Sequence, residues 1–417
     1  MFGSSVDRRI AISFWLFGLI NNALYVVILS AASDLVGPNI PKALVLFFDV
    51  APSFIVKLSA PFYLKFIPYN FRIFICVAFS CFGMVILSGS SDTYESSLGR
   101  KMLGITFASL SSGLGEVTFL SLTHYYKDIS LNAWSSGTGF AGIFGSFNFM
   151  VMTTWWNIST RNTLYSFSIL PFTFIAVFWK VLPTIPDIND TYLSLRFLDM
   201  SPANNQEHED SVGFLTERQD PESGSHNLID LKHHIQATAK NIAPLVVPYM
   251  IPLSTVYFAE YLINQGISPT LLFPLKDTPF SSFRDIYVSY ATLYQVGVFI
   301  SRSSAPFFRL KNLYLPAILQ IVNLLLCVIQ SMYLVVPSIY FMFIIIFYEG
   351  LLGGASYVNT FMSISEEVSL EIREFALGTV SISDSLGVGL ASLIGMWTET
   401  SLCDYQVSHG RDWCKKK

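Results

Sequence analysis

Apolar residues come in long blocks separated by short polar gaps along this chain. A helix needs about 20 mostly apolar residues to cross a bilayer. Eleven segments meet that length: 10–32, 42–64, 71–90, 101–123, 133–155, 163–183, 242–264, 284–301, 313–335, 337–361 and 375–398. Between the sixth and seventh the pattern breaks. Residues 184–241 hold ten acids against four bases and four of the six histidines. Such a segment cannot lie in lipid and reads as a flexible, acidic loop. The predicted layout is an N-terminal bundle of six spans (1–183), the acidic loop (184–241), a C-terminal bundle of five spans (242–398) and a tail (399–417). Two bundles joined by a linker are a common plan for secondary transporters, with a site at the interface. Six plus five is one short of six plus six, so a span is missing, merged or overlooked.

Composition narrows the class. Of 417 residues, 52% are hydrophobic and 13% charged, mean hydropathy is +0.50, and Phe alone supplies 36. A soluble domain carries about 25% charged residues and could not hide this much apolar surface. The chain is therefore expected to be an all-α polytopic membrane protein, embedded among lipids and with no nucleic-acid partner. The first span follows Arg8 and Arg9, as a signal peptide would, but its apolar stretch is too long and no small-residue cleavage site follows closely.

Orientation follows the distribution of Lys and Arg in short loops. With the N-terminus in the cytosol, that side holds Arg8, Arg9, Lys65, Arg72, Lys127, Arg302, Arg309, Lys311 and Arg373. Lys42, Arg100, Lys101, Arg161, Lys276 and Arg284 fall opposite. The acidic loop is then cytosolic, the sequon at Asn157 is lumenal, and the sequon at Asn189 is cytosolic and silent. An odd span count sends the tail to the lumen, where Cys403 and Cys414 are candidates for a disulfide. Arg411 and Lys415 to Lys417 argue for the other side. Cys414 followed by three lysines is not a prenylation box.

Ionisable residues inside spans are functional candidates. They are Asp49 and Lys57 in span two, Glu116 in span four, Glu260 in span seven, Glu349 in span ten and Asp384 in span eleven. Asp49 and Lys57 share a helix face about two turns apart, too far to pair directly, so each needs a partner on another helix or an aqueous cavity. Lys57, Glu116, Glu349 and Asp49 are the candidates for a solute or proton cavity. The plain alternative is a set of structural ion pairs. Asp384, between Ser383 and Ser385, suits a buried hydrogen-bonding role as well as a ligand role. A buried carboxylate can also carry a proton between compartments, which makes Glu116 a candidate relay.

Span five carries Gly137, Gly139, Gly142 and Gly145 in a G-x-G-x-x-G pattern, but no strand precedes it, so it is not a dinucleotide fingerprint. Gly137, Ala141 and Gly145, spaced by four, form a small-residue stripe for helix packing. Ser111-Ser112-Gly113 and Ser135-Ser136-Gly137 recur on neighbouring spans, either as packing motifs or as polar segments facing one cavity. There is no P-loop, G-x-S-x-G elbow, HExxH or paired CxxC. No enzyme activity, cofactor or metal is expected, and His233-His234 stand alone in the acidic loop.

Several long stretches resemble one family. Phe14 to Asp34, Gly104 to Leu122 (GITFASLSSGLGEVTFLSL), Trp134 to Gly142 (WSSGTGFAG) and Val256 to Gly266 (VYFAEYLINQG) are similar to battenins, in their fungal form. So are Ser301 to Ser304, Arg373 to Ala376 and Ile382 to Gly387. The resemblance covers nearly the whole chain outside the acidic loop and tail. It implies a multi-pass protein of the lysosomal or vacuolar membrane, with a fold related to the major facilitator superfamily. It also implies links to vacuolar pH homeostasis, to transport of basic amino acids such as arginine, and to glycerophosphodiester clearance. Inside the matched stretches, Asn21, Asn22, Glu116, Glu260, Arg302 and Asp384 are implied to matter for binding or structure. Arg302, at a span end, is expected to meet an acid across the bundle interface or a lipid phosphate. The expected activity is alternating-access transport of a small polar solute, coupled to protons. The rival expectation is a non-transporting regulator that recruits a cytosolic partner through the acidic loop.

Overall fold

The computed structural model describes residues 5–31, 35, 43–89, 94–126, 128–184, 238–280 and 283–415. The acidic segment therefore lies outside the described residues except at its two ends, and so do Asn189, His233 and His234. Every regular element among the described residues is helical. In the N-terminal half these are α1 (Ser5–Ser30), α2 (Ala43–Tyr63), α3 (Tyr69–Gly89), α4 (Tyr94–Leu122), α5 (Asp128–Met150), α6 (Thr160–Phe167) and α7 (Phe172–Ala176). The C-terminal half contains α8 (Ile251–Leu262), α9 (Phe283–Arg302), α10 (Tyr314–Tyr333), α11 (Ile339–Glu367), α12 (Leu370–Val380) and α13 (Ile382–Ser408). With α6 and α7 taken together and α12 and α13 taken together, the described residues form eleven helical segments.

Nine of the described helical segments are long and apolar enough to cross a membrane on composition alone, which makes this a multi-pass membrane protein. The two that fall short are α5 and α9. They pack on one another between the two halves, so they can carry glycine, serine and glutamine where a lipid-facing helix needs hydrocarbon.

The two halves repeat one packing pattern. α1 packs on α5 as α8 packs on α13, and α2 packs on α4 as α9 packs on α11. Across the interface, α2 meets α13 while α5 meets α9. Each contact maps onto its counterpart when a span is matched to the one six places later, as in a two-fold repeat of helical bundles. The α6–α7 crossing has no counterpart among the described residues.

The tail prediction needs correction. Helix α13 continues to Ser408, ten residues past the predicted span end, and the end of the chain is packed down. Gln406 donates from its side-chain amide to the carbonyls of Thr270 and Ser331, each at 2.8 Å. Cys403 and Cys414 form a disulfide with Cα atoms 5.8 Å apart, and Trp413 stacks on Phe283. Buried backbone acceptors at the ends of neighbouring helices need donors, and Gln406 supplies them.

Glycine lets α1 and α5 approach backbone to backbone. A Cβ at Gly137 would overlap the Trp15 carbonyl, and one at Gly145 would lie 3.0 Å from the Ala23 carbonyl. Ala141 is fully buried in the same seam with Leu19 and Ala23. Gly139 and Gly142 face the other way, onto Arg302 and Gln295 of α9. Gly137→Ala is therefore expected to force the helices apart, with an overpacking cost of about 1–3 kcal/mol. Gly389 of α13 has open space around it, and Gly389→Ala should leave the melting temperature unlowered. Equal melting of the two variants in detergent would contradict this account.

Candidate functional site: a charged cavity between the halves

Pro52 sits inside α2 and cannot donate to the helical ladder. Just beyond it, the Ser109 hydroxyl of α4 inserts into the chain: it accepts from Ser53 N at 3.0 Å and donates to the Asp49 carbonyl at 2.7 Å. A proline and an inserted side chain are the usual causes of a helix kink. Asp49 and Lys57, on either side of this point, line one cavity of about 100 Å³. On the C-terminal side, α12 ends at Val380 and α13 starts at Ile382. This break frees the Ser381 carbonyl, which accepts from Lys57 Nζ at 3.4 Å. Asp384 is therefore in the first turn of a helix that begins inside the span. There it accepts from the backbone N–H and the hydroxyl of Ser385, at the positive end of the helix dipole.

Lys57 is the centre of a buried ionic triad. Its Nζ lies 2.5 Å from Glu116 Oε2 and 3.0 Å from Asp384 Oδ1. The lysine and Glu116 come from the N-terminal half and Asp384 from the C-terminal half, so the triad spans the interface. A chain of hydrogen bonds crosses the same plane. Trp134 Nε1 of α5 donates to the Tyr357 hydroxyl at 3.0 Å, and that hydroxyl donates to Glu116 Oε1 at 3.2 Å.

Arg302 lies on the opposite wall. It donates to the Thr138 hydroxyl at 2.6 Å and to the Tyr257 hydroxyl at 2.7 Å, and sits 4.1 Å over the Tyr357 ring. Its Nε has no partner. The expectation of an acid or a lipid phosphate is corrected here: the partner across the interface is a hydroxyl, because the end of α9 turns inward onto α5. Among the described residues Arg302 forms no ion pair. Asp49 is 3% exposed and its Oδ2 has no hydrogen-bond partner. The lining thus holds two cations, Lys57 and Arg302, and three carboxylates, Asp49, Glu116 and Asp384.

The remaining candidates separate clearly. Asn22 lines the cavity, whereas Asn21 is buried between α1 and α4, donating to the Ser112 carbonyl at 3.1 Å. Glu349 does not line the cavity, which corrects its assignment there. It lies eight residues before Tyr357 on α11, about 12 Å along the axis, and is fully buried against Asn264. Glu260 is also outside, accepting from the Tyr294 hydroxyl. Of the paired serine motifs, Ser112 reaches the cavity, while Ser136 bonds Ser303 across the halves at 2.9 Å. Tyr25, Tyr257, Tyr261 and Tyr357 line the cavity but escape a search restricted to ionisable side chains. Tyr257 and Tyr261, one turn apart with rings stacked 6.1 Å apart, carry the signal that such a search omits.

On the face that carries the N-terminus the halves are tied together. Glu374 of α12 accepts from the hydroxyls of Tyr69 and Tyr125 at 2.5 and 2.7 Å. Ser365 donates to Asp128 at 3.1 Å. Glu374 is ten residues before Asp384, on the helix that ends at the Ser381 break, so this contact forms a floor beneath the cavity.

Comparison with known proteins agrees with this architecture. Among solved structures, the chain superposes on the major-facilitator proton:xylose symporter XylE with a TM-score of 0.61 at 14% identity, covering 99% of this chain and 93% of that one. The human organic anion transporter MFSD10 gives a TM-score of 0.55 at 13% identity, covering 99% and 96%. These likenesses establish a major-facilitator-like fold. Protein BTN1 of Yarrowia lipolytica is 49% identical over 406 residues, 96% of each chain. Protein BTN1 of Saccharomyces cerevisiae is 48% identical over 420 residues, 99% of each. The CLN3 protein family model matches residues 12–405. A transporter-like membrane protein with this fold and these relatives belongs to the CLN3, or battenin, family.

Proposed function

We propose that this protein is an alternating-access transporter of the vacuolar membrane, with its N-terminus in the cytosol, that moves a small polar solute and so supports vacuolar pH homeostasis. The observation that carries this reading is the buried, charged cavity built jointly by both halves. Charges at membrane depth are expensive and persist where they serve a pathway. The cavity of about 100 Å³ is smaller than the several hundred Å³ usual for a small-molecule site, so passage of a solute needs the halves to rearrange. The Lys57 triad and the Glu374 contact are the interactions that must break and re-form in such a cycle.

The charge arrangement favours a solute that pairs an acidic group with a cationic one. Lys57 is already occupied by two carboxylates. Arg302 is the cation available for an anionic group, as a planar fork suited to a carboxylate or phosphate. Asp49, with one open oxygen, and the neighbouring tyrosines suit the cationic end. Arginine and amine-bearing glycerophosphodiesters both meet this description.

Reconstituted proteoliposomes test the reading. Saturable flux of arginine or of a glycerophosphodiester, lost in Arg302→Ala, is the expected result. Folded protein that moves neither solute across a pH gradient of either direction would reject it.

A further inference from the structure

Glu260 and Glu349 play no part in the cavity between the halves, yet their surroundings form a second polar site within the C-terminal half. Glu260 on α8 is 2% exposed and Glu349 on α11 is 0% exposed. Each is held through one oxygen only. The Tyr294 hydroxyl of α9 donates to Glu260 Oε1. The Asn264 amide, in the π-helical turn at the end of α8, donates to Glu349 Oε1 at 3.0 Å. The Oε2 atom of each carboxyl is buried with no hydrogen-bond partner.

The two carboxyls lie in one helix contact. Glu260 on α8 and Asn264 in the π-helical turn that follows it are four residues apart, and Glu349 and Gly353 are one turn apart on α11. Asn264 reaches Glu349, and the Glu260 carboxyl lies directly on Gly353, where any Cβ would collide with both its oxygens. The glycine makes the space that the carboxyl fills. A third helix adds an unused donor: the Asn323 amide nitrogen of α10 is buried and unpartnered, one turn from Cys327, whose side chain interacts electrostatically with Glu349.

The groups facing this pair are Tyr294 and Arg302 from α9, Cys327 from α10, and Tyr257 and Tyr261 on α8 itself. Among the described residues, no base forms an ion pair with either carboxyl. Two ionised carboxylates with open oxygens, buried in one water-poor helix contact, are strongly unfavourable. One shared proton removes a charge and supplies the donor that an empty oxygen needs. A metal cation fits less well: it would want about six oxygens, while the site offers two open oxygens beside O–H and N–H donors.

We propose that Glu260 and Glu349 together hold one exchangeable proton, and that this is the proton coupled to solute movement. The coupling half of the proposal rests on the transport reading above. Its link is Arg302, which lines the cavity and packs on Gly354, the neighbour of the Gly353 that the Glu260 carboxyl covers. An acidic solute group that binds Arg302 offsets its positive field at Glu260, and the carboxyl pair then retains its proton. When the solute leaves, the field returns and the proton is released, so proton and solute travel together.

Infrared spectroscopy of the purified protein at neutral pH tests the site without any solute. A protonated-carboxyl C=O band is expected, retained in Glu116→Gln and lost in the Glu260→Gln/Glu349→Gln double variant. Tyr294→Phe keeps both carboxyls but removes one hydrogen bond, and should shift the band. No band in the wild-type protein, a band unchanged in the folded double variant, one unmoved by Tyr294→Phe, or one abolished by sodium would each overturn the proposal. Proteoliposomes test the coupling half. One proton per solute and a gradient of about one pH unit support about tenfold accumulation, which Glu349→Gln should lose while solute exchange at equal pH persists. Full accumulation by that variant would overturn the coupling half. Failure of the wild-type protein to move solute would instead reject the transport reading and leave the infrared result standing.

Discussion

Lys57→Ala is expected to lower stability by roughly 3–5 kcal/mol, the usual consequence of removing one partner from a buried ion pair. The lysine is 2% exposed and pairs with Glu116 and Asp384 at once. Without it, two carboxylates from opposite halves face each other in a cavity too small for full hydration. The loss should appear as a large fall in melting temperature in detergent. Adding Glu116→Gln and Asp384→Asn to Lys57→Ala removes the stranded charges and should recover part of that fall. If Lys57→Ala melts like the parent, or the triple variant melts lower than the single one, the triad does not hold the halves together.

Arg302→Lys is expected to keep the fold and reduce solute flux about ten- to hundredfold. A hydrogen bond to a charged group contributes about 1.5–3 kcal/mol, and lysine cannot reproduce the guanidinium fork that reaches Thr138 and Tyr257 together. The charge is retained, so a loss of flux would point to geometry rather than to net charge. A solute that carries no acidic group should be affected far less. Equal effects on acidic and non-acidic solutes would show that Arg302 supports structure without contacting the solute.

Much of this protein was legible in its hydrophobic pattern. Eleven apolar blocks of about twenty residues, with an acidic interruption after the sixth, fall on helical segments of the described residues, nine of them long and apolar enough to cross a membrane. Bilayer thickness sets that length, and backbone groups must be satisfied within each segment. The expensive charges were legible for the same reason. Asp49, Lys57, Glu116 and Asp384 stand out because few ionisable groups occur in the spans, and the structure gathers them around one cavity. The spacing of Gly137, Ala141 and Gly145 gave a packing seam, but not the helix that fills it.

Which charges meet is a different kind of information. Asp384 lies 327 positions from Lys57, and no local pattern couples them. Their pairing depends on α2 bending at Pro52 and Ser109, and on α12 breaking at Ser381. Glu349 reads in sequence like Glu116, one acid in an apolar run, yet the two fall in separate sites because helix phase and height are set by packing. Arg302 reads as a span-end cation awaiting an acid across the interface or a lipid phosphate, and only the packing of α9 on α5 shows that it meets a hydroxyl there. The order of residues is enough to set the number of crossings, the division into halves and the inventory of costly polar groups, since those depend on transfer between water and lipid along one segment at a time. Which of those groups share a cavity, and which stay unpaired, is settled only when separate helices bend and dock against one another.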